Sequence, residues 1–66
     1  MKINAIWTIY DTTFEVGAIC EDGFEVGAIE INLLSALRED WFLVIDDSGN
    51  LKKLVNPSHV ISVDVQ

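Results

Sequence analysis

The phrase Phe-Glu-Val-Gly-Ala-Ile occurs twice, at residues 14–19 and 24–29, with Cys20-Glu21-Asp22-Gly23 between the copies. Suppose Glu21-Asp22-Gly23 is a three-residue loop with Gly23 in the left-handed conformation. Cys20 then faces Phe24, Ala18 faces Val26 and Val16 faces Ala28. Phe14, Val16, Ala18, Cys20, Phe24, Val26 and Ala28 fall on one side, and Glu15, Gly17, Glu25 and Gly27 on the other, with Ile19 and Ile29. A two-residue loop would shift the register by one and mix Glu15 and Glu25 into both faces. Side chains alternate with period two, so that slip is costly. The repeat therefore predicts a hairpin whose two arms cover the same core. Two copies are too few for a solenoid. The competing reading is a local duplication with no geometric meaning.

The other segments also read as strands. β-Branched and aromatic residues are frequent, and Gly- and Asp-rich breaks come at short intervals. Lys2–Tyr10 is the first strand, with Ile3, Ala5, Trp7 and Ile9 as its inner face. Trp41–Ile45 is an apolar strand, and Asp46-Asp47-Ser48-Gly49-Asn50 is a turn. Leu51–Val55 returns as a strand with Lys52 and Lys53 exposed. Asn56-Pro57-Ser58 breaks it, because Pro cannot donate to a ladder. Val60–Val65 is the last strand. In Ile31–Asp40, Asn32 could cap a short helix bearing Leu33, Leu34 and Leu37 at helical spacing, which places a helical turn near Asn32–Arg38. A strand followed by a loop is the alternative there.

The 66 residues form one domain, residues 1–66, and half of them are hydrophobic. A chain this short buries only about 60% of its unfolded surface. That apolar surplus is expected in a subunit interface or a binding face, which predicts a homo-oligomer or a partner. Eleven acids against four bases give a formal charge of −7. The balance makes the chain a poor nucleic-acid binder, and no direct contact is expected, because duplex affinity comes mostly from Lys and Arg displacing counterions. Anionic membranes are disfavoured for the same reason, and no apolar run approaches the roughly 20 residues needed to cross a bilayer. The charge either keeps the protein soluble or attracts a basic protein partner. One cysteine allows no internal disulfide, and the opening residues have no signal-peptide pattern. Both features predict a cytoplasmic setting.

The order of features resembles an SH3-type barrel. Asp40-Trp41-Phe42, Gly49 and Pro57-Ser58-His59-Val60 match the latter part of that family in sequence and rough spacing, and Ile9-Tyr10-Asp11 looks like the core of its opening strand. The acidic segment Thr12–Ile29 stands where the family has its long acidic loop. The resemblance implies an all-β fold, a small five- or six-stranded SH3-like barrel with one short helical turn. It also implies that Tyr10, Trp41 and Pro57 line a groove for a Pro-rich peptide, with Glu21 or Asp22 meeting a ligand Arg. Two groove aromatics of the family are replaced here, by Thr12 and His59.

Catalytic and metal readings have little to stand on. His59 and Cys20 are single and far apart in sequence, and a nucleophile also needs a base and an orienting group. Asp46–Asn50 lacks the spacing and the bidentate Glu of an EF-hand, so it reads as a hairpin turn. The carboxylate pairs Glu21-Asp22 and Glu39-Asp40 read as solvated loop residues rather than an acid/base pair. If Trp41 is exposed after Glu39-Asp40, the three make a mixed aromatic and acidic patch. The expected function is a non-enzymatic protein-interaction domain with no cofactor. It is homo-oligomeric, of bacterial or phage-like setting, and binds through Tyr10, Glu21, Asp22, Glu39, Asp40, Trp41 and Pro57. The alternative is an acidic mimic of nucleic acid that blocks a DNA- or RNA-binding protein.

Overall fold

In the computed structural model, residues 2–34 and 39–66 are described. They form six strands and one 3-10 turn: β1 Ile3–Thr8, β2 Thr13–Glu15, β3 Val26–Leu34, β4 Glu39–Asp46, β5 Lys52–Val55, the turn Pro57–His59, and β6 Val60–Val65. The chain is all-β. The strands make two antiparallel three-stranded sheets, ordered β2-β1-β6 and β3-β4-β5. Among the described residues the sheets do not join into one closed, hydrogen-bonded barrel. Their inner faces enclose a core of Ile3, Ile6 and Phe14 from the first sheet and Val26, Ile29, Phe42 and Val44 from the second, with Phe24 from the loop between them. Ile6, Val26 and Val44 are fully buried, and each such aliphatic side chain contributes about 2 kcal/mol.

The repeat forms a hairpin only at its tip. The Cys20 N–H donates to the Phe24 carbonyl at 2.7 Å and the Val26 N–H to the Ala18 carbonyl at 3.0 Å, with Gly23 at φ 88°. This is the three-residue loop and register expected from the sequence. The Gly17 N–H still reaches the Val26 carbonyl at 2.8 Å, and beyond it the arms separate. Ala18 N–H closes a turn on the Glu15 carbonyl, with Gly17 at φ 91°, and Val16 N–H donates to Asn4 instead of lying opposite Ala28. The first copy thus pairs with β1, while the second runs on into β3. One phrase serves two sheets.

A bulge sets the course of the second copy. Val26 pairs with Asp46, but Ala28 pairs with Ile45, so Gly27 is the extra residue. A β-bulge bends its strand and shifts the alternation of faces. Ile29 therefore turns inward and is buried, whereas Ile19, its counterpart in the first copy, is exposed. The expected placement of Ile29 beside the glutamates is corrected by this one residue. Only glycine fits: a Cβ at residue 27 would lie 2.6 Å from the Asp46 carbonyl oxygen and 2.7 Å from the Asp47 Cα.

A similar irregularity corrects the first strand. The register of β1 on β6 shifts between Ile3 and Ala5. The inner face then continues through Ile6 and Thr8, both buried, while Trp7 is half-buried and Ile9 is exposed. The helical turn near Asn32–Arg38 is corrected in part. Asn32, Leu33 and Leu34 extend β3 and pair with Trp41, Asp40 and Glu39, because the ladder gives their backbone groups partners along β4. Residues 35–38 lie outside the described residues. The only helical element among the described residues is Pro57–His59, where the Asn56 carboxamide oxygen accepts from the Ser58 N–H at 2.9 Å and Pro57 occupies the first turn. Among the described residues no helix is long and apolar enough to cross a membrane.

Asp46 ties off the β4–β5 turn. Its carboxylate accepts from Ser48 Oγ and from the Asn50 N–H, each at 2.8 Å. Burial pushes its pKa up, but the Ser48 hydroxyl and the turn's backbone N–H groups outweigh that and hold it below the usual value of 3.8. A lowered native pKa gives stability that is present above the unfolded value and lost as pH falls through the native one. Asp46→Asn should therefore be less stable than the parent at neutral pH, with the gap in thermal melting closing as pH falls below 3.8. A constant gap down to strongly acid pH would contradict this. Gly27→Ala should lower unfolding stability by about 2 kcal/mol in a urea titration, because the neighbour in the way is backbone and cannot rotate aside.

Candidate functional site

The residues after β1 set the site. Ile9 N–H donates to the His59 carbonyl at 2.8 Å and Thr8 N–H to the Thr12 carbonyl at 2.9 Å. Asp11 takes φ 58°, a conformation that Asp tolerates better than most residues. This tight reversal lifts Tyr10 out of the sheet, and its side chain is 66% exposed. Its ring meets the His59 ring edge-on, with centroids 5.3 Å apart and planes at 80°. The 3-10 turn supplies His59, and the preceding Asn56 supports that turn.

Tyr10 stands between two clefts. The first, about 320 Å³, is mainly apolar and is lined by Tyr10, Trp41, Leu54, Val55, Asn56 and His59, together with Thr8, Thr12 and Phe14. Trp41 is half-buried, and its indole N–H is out of water with no hydrogen-bond partner among the described residues. Such orphaned donors are uncommon in folded proteins. The second cleft, about 610 Å³, is more polar. Asp11, Glu21 and Asp22 line it with Thr13, Ile19, Cys20 and Lys53, and it shares Tyr10, Thr12 and Phe14 with the first.

Lys53 fixes the acidic wall. From β5 its Nζ reaches Asp22 at 2.6 Å and lies 4.8 Å from the centroid of the Phe24 ring and 5.9 Å from that of Phe14. The repeated phenylalanines thus sit under one ammonium, an arrangement favoured by the ring quadrupole. The Lys53 hydrogen bond, with the Phe24 N–H, holds the Asp22 carboxyl below its usual pKa. Lys53 is half-buried rather than exposed. Asp11 and Glu21 have no ion-pair partner within the described residues.

The structure brings together some of the residues singled out in the sequence. Tyr10 and Trp41 line one cleft, and Glu21 and Asp22 the neighbouring one. Pro57 does not line either cleft; its ring opens the 3-10 turn, and its neighbours Asn56 and His59 do the lining. Asp40 is exposed in β4 opposite Leu33 and lines neither cleft. Glu39 begins β4, and its side chain lies outside the described residues. Cys20 and His59 line different clefts. Sequence reasoning missed the His59–Tyr10 contact, Leu54 and Lys53. The signal for His59 was its place two residues after Pro57. Lys53 alternates with Leu54 along β5 and lies opposite the buried Val44, which turns it toward the core side.

The chain matches no protein-family model, no curated protein and no solved structure.

The Lys53 contact has a direct readout. Lys53→Met should return the Asp22 carboxyl toward the ordinary value of 3.8, measured by NMR titration of its side-chain carbon. An unchanged Asp22 titration would mean that the pair does not persist in solution.

Proposed function

We propose that this chain is a non-enzymatic protein-interaction domain of SH3-like architecture. It would hold an extended, apolar, Pro-rich segment of a partner in the Tyr10–Trp41–His59 cleft, with a basic side chain of that segment reaching Asp11, Glu21 and Asp22. One observation carries the reading: an exposed tyrosine forms the common wall of an aromatic cleft and an acidic one. Extended Pro-rich segments suit aromatic-lined grooves because they lose little conformational entropy on binding. A cationic side chain in the second cleft would meet the carboxylates of Asp11 and Glu21, unpaired among the described residues, beside Asp22, which Lys53 already holds.

The SH3-like architecture is supported by the order of parts. A long excursion, Ile9 to Glu25, separates β1 from β3, and a 3-10 turn leads from β5 into β6. A nucleic-acid mimic draws support from the −7 charge alone, whereas the peptide-holding reading uses the charge and the aromatic cleft together.

The test is a panel of short Pro-rich peptides with and without a flanking Arg, followed by tryptophan fluorescence. Binding should be strongest with Arg present and should weaken with salt. Tyr10→Ala and Trp41→Ala should each reduce affinity about tenfold. Glu21→Gln combined with Asp22→Asn should remove the preference for Arg while leaving the Pro-rich core bound. Absence of binding across the panel, or binding indifferent to Tyr10 and Trp41, would overturn the reading.

A further inference from the structure

Strand β6 is the free edge of its sheet. Its inner neighbour β1 is paired on both sides, to β2 and to β6, and no described residue pairs with the far side of β6. Proteins usually protect such an edge with lysines, a proline or a covering loop. The other sheet follows this rule, since its edge strand β5 begins Lys52-Lys53. Strand β6 reads Val-Ile-Ser-Val-Asp-Val, with no lysine and no proline. Ile61, Val63 and Val65 are 67%, 41% and 47% exposed.

Two of these residues are unfinished core. Val63 lies opposite Ile6 and Val65 opposite Ile3, both of which are buried. Residues directly opposite in an antiparallel pair share a face. Val63 and Val65 therefore belong to the inner layer, and no described residue pairs beside that layer at the β6 edge.

We propose that a second copy of this chain pairs with it along β6, edge to edge and antiparallel, joining two three-stranded sheets into one of six strands. Symmetry restricts the register. Two copies related by a two-fold axis normal to the sheet present the same face, so opposing residues must be an even number of positions apart. With the axis at Val63, the two Val63 side chains meet, and each Ser62 lies opposite the other copy's Asp64. The Ser62 hydroxyl donates to the Asp64 carboxylate twice over. With the axis at Asp64, two carboxylates would oppose each other, which is unfavourable. Each copy carries −7, so the pairing works against like-charge repulsion and draws on the apolar edge and the two Ser62–Asp64 contacts.

This inference is independent of the peptide reading, because none of Ser62–Val65 lines either cleft. The experiment is sedimentation equilibrium of the intact chain from low micromolar concentration to about 1 mM, at low and high salt. A dimer is expected, and salt should tighten it by screening the like net charges. Val63→Lys places two ammonium groups face to face and should weaken the dimer about tenfold or more. Ser62→Lys puts a cation opposite each Asp64 and should tighten it about threefold. That gain cannot come from misfolding. A monomer at every concentration, or a dimer that neither substitution moves, would overturn the proposal.

Discussion

The backbone of Asp46 occupies the space that a side chain at residue 27 would need. This close approach, with a Cβ position 2.6 Å from the Asp46 carbonyl oxygen, governs how β3 joins its sheet. It requires glycine at 27 and makes that residue the bulge. The bulge turns Ile29 into the core and fixes the register of β3 on β4 as far as Leu34. The Asp47 N–H then reaches the Glu25 carbonyl at 3.0 Å, so the hairpin tip and the β4–β5 turn support each other. Asp46 serves both sides of this junction, with its backbone crowding Gly27 and its carboxylate organising the turn.

Much of the strand order was legible in the sequence. The last strand, the Asp46–Gly49 turn and the three-residue loop ending at Gly23 follow from local chemistry, and local chemistry is what a sequence displays. The errors cluster where a strict alternation of two was assumed. Bulges at Gly27 and near Asn4 each shift the alternation by one, which misplaced Ile29 and Trp7. A bulge is set by what passes nearby in space, here Asp46 and β6, and neither is adjacent in sequence. The segment at Asn32–Leu34 was misread for a related reason. Its leucines fit helical spacing, but their backbone partners lie on β4. At the candidate site, Tyr10, Trp41 and the acidic loop could be named in advance. The approach of His59 to Tyr10 could not, because it depends on a hydrogen bond from Ile9 to His59 that closes across the sheet.

The excursion from Ile9 to Glu25 builds the part of the surface that both clefts share. Three reversals shape it, at Asp11, Gly17 and Gly23, each at positive φ. The first presents Tyr10, and the third sends the chain back toward the other sheet. Lys53 then holds the far tip through Asp22. Both clefts share Tyr10, Thr12 and Phe14 as a wall, so an occupant of one borders the other. An apolar segment and its basic neighbour would be gripped by opposite faces of one short stretch of chain.

The repeated phrase has a consequence apart from folding. Residues 14–19 and 24–29 are chemically identical, yet one contains a turn at Gly17 and the other a bulge at Gly27. Each copy is thus the other's internal control. Any difference between matched nuclei in the two, whether in resonance frequency, exchange rate or backbone motion, must come from the surroundings of the phrase, since its composition and the solvent are the same. A spectroscopist can read the influence of tertiary context from a single sample, residue against residue, with no variant and no reference peptide.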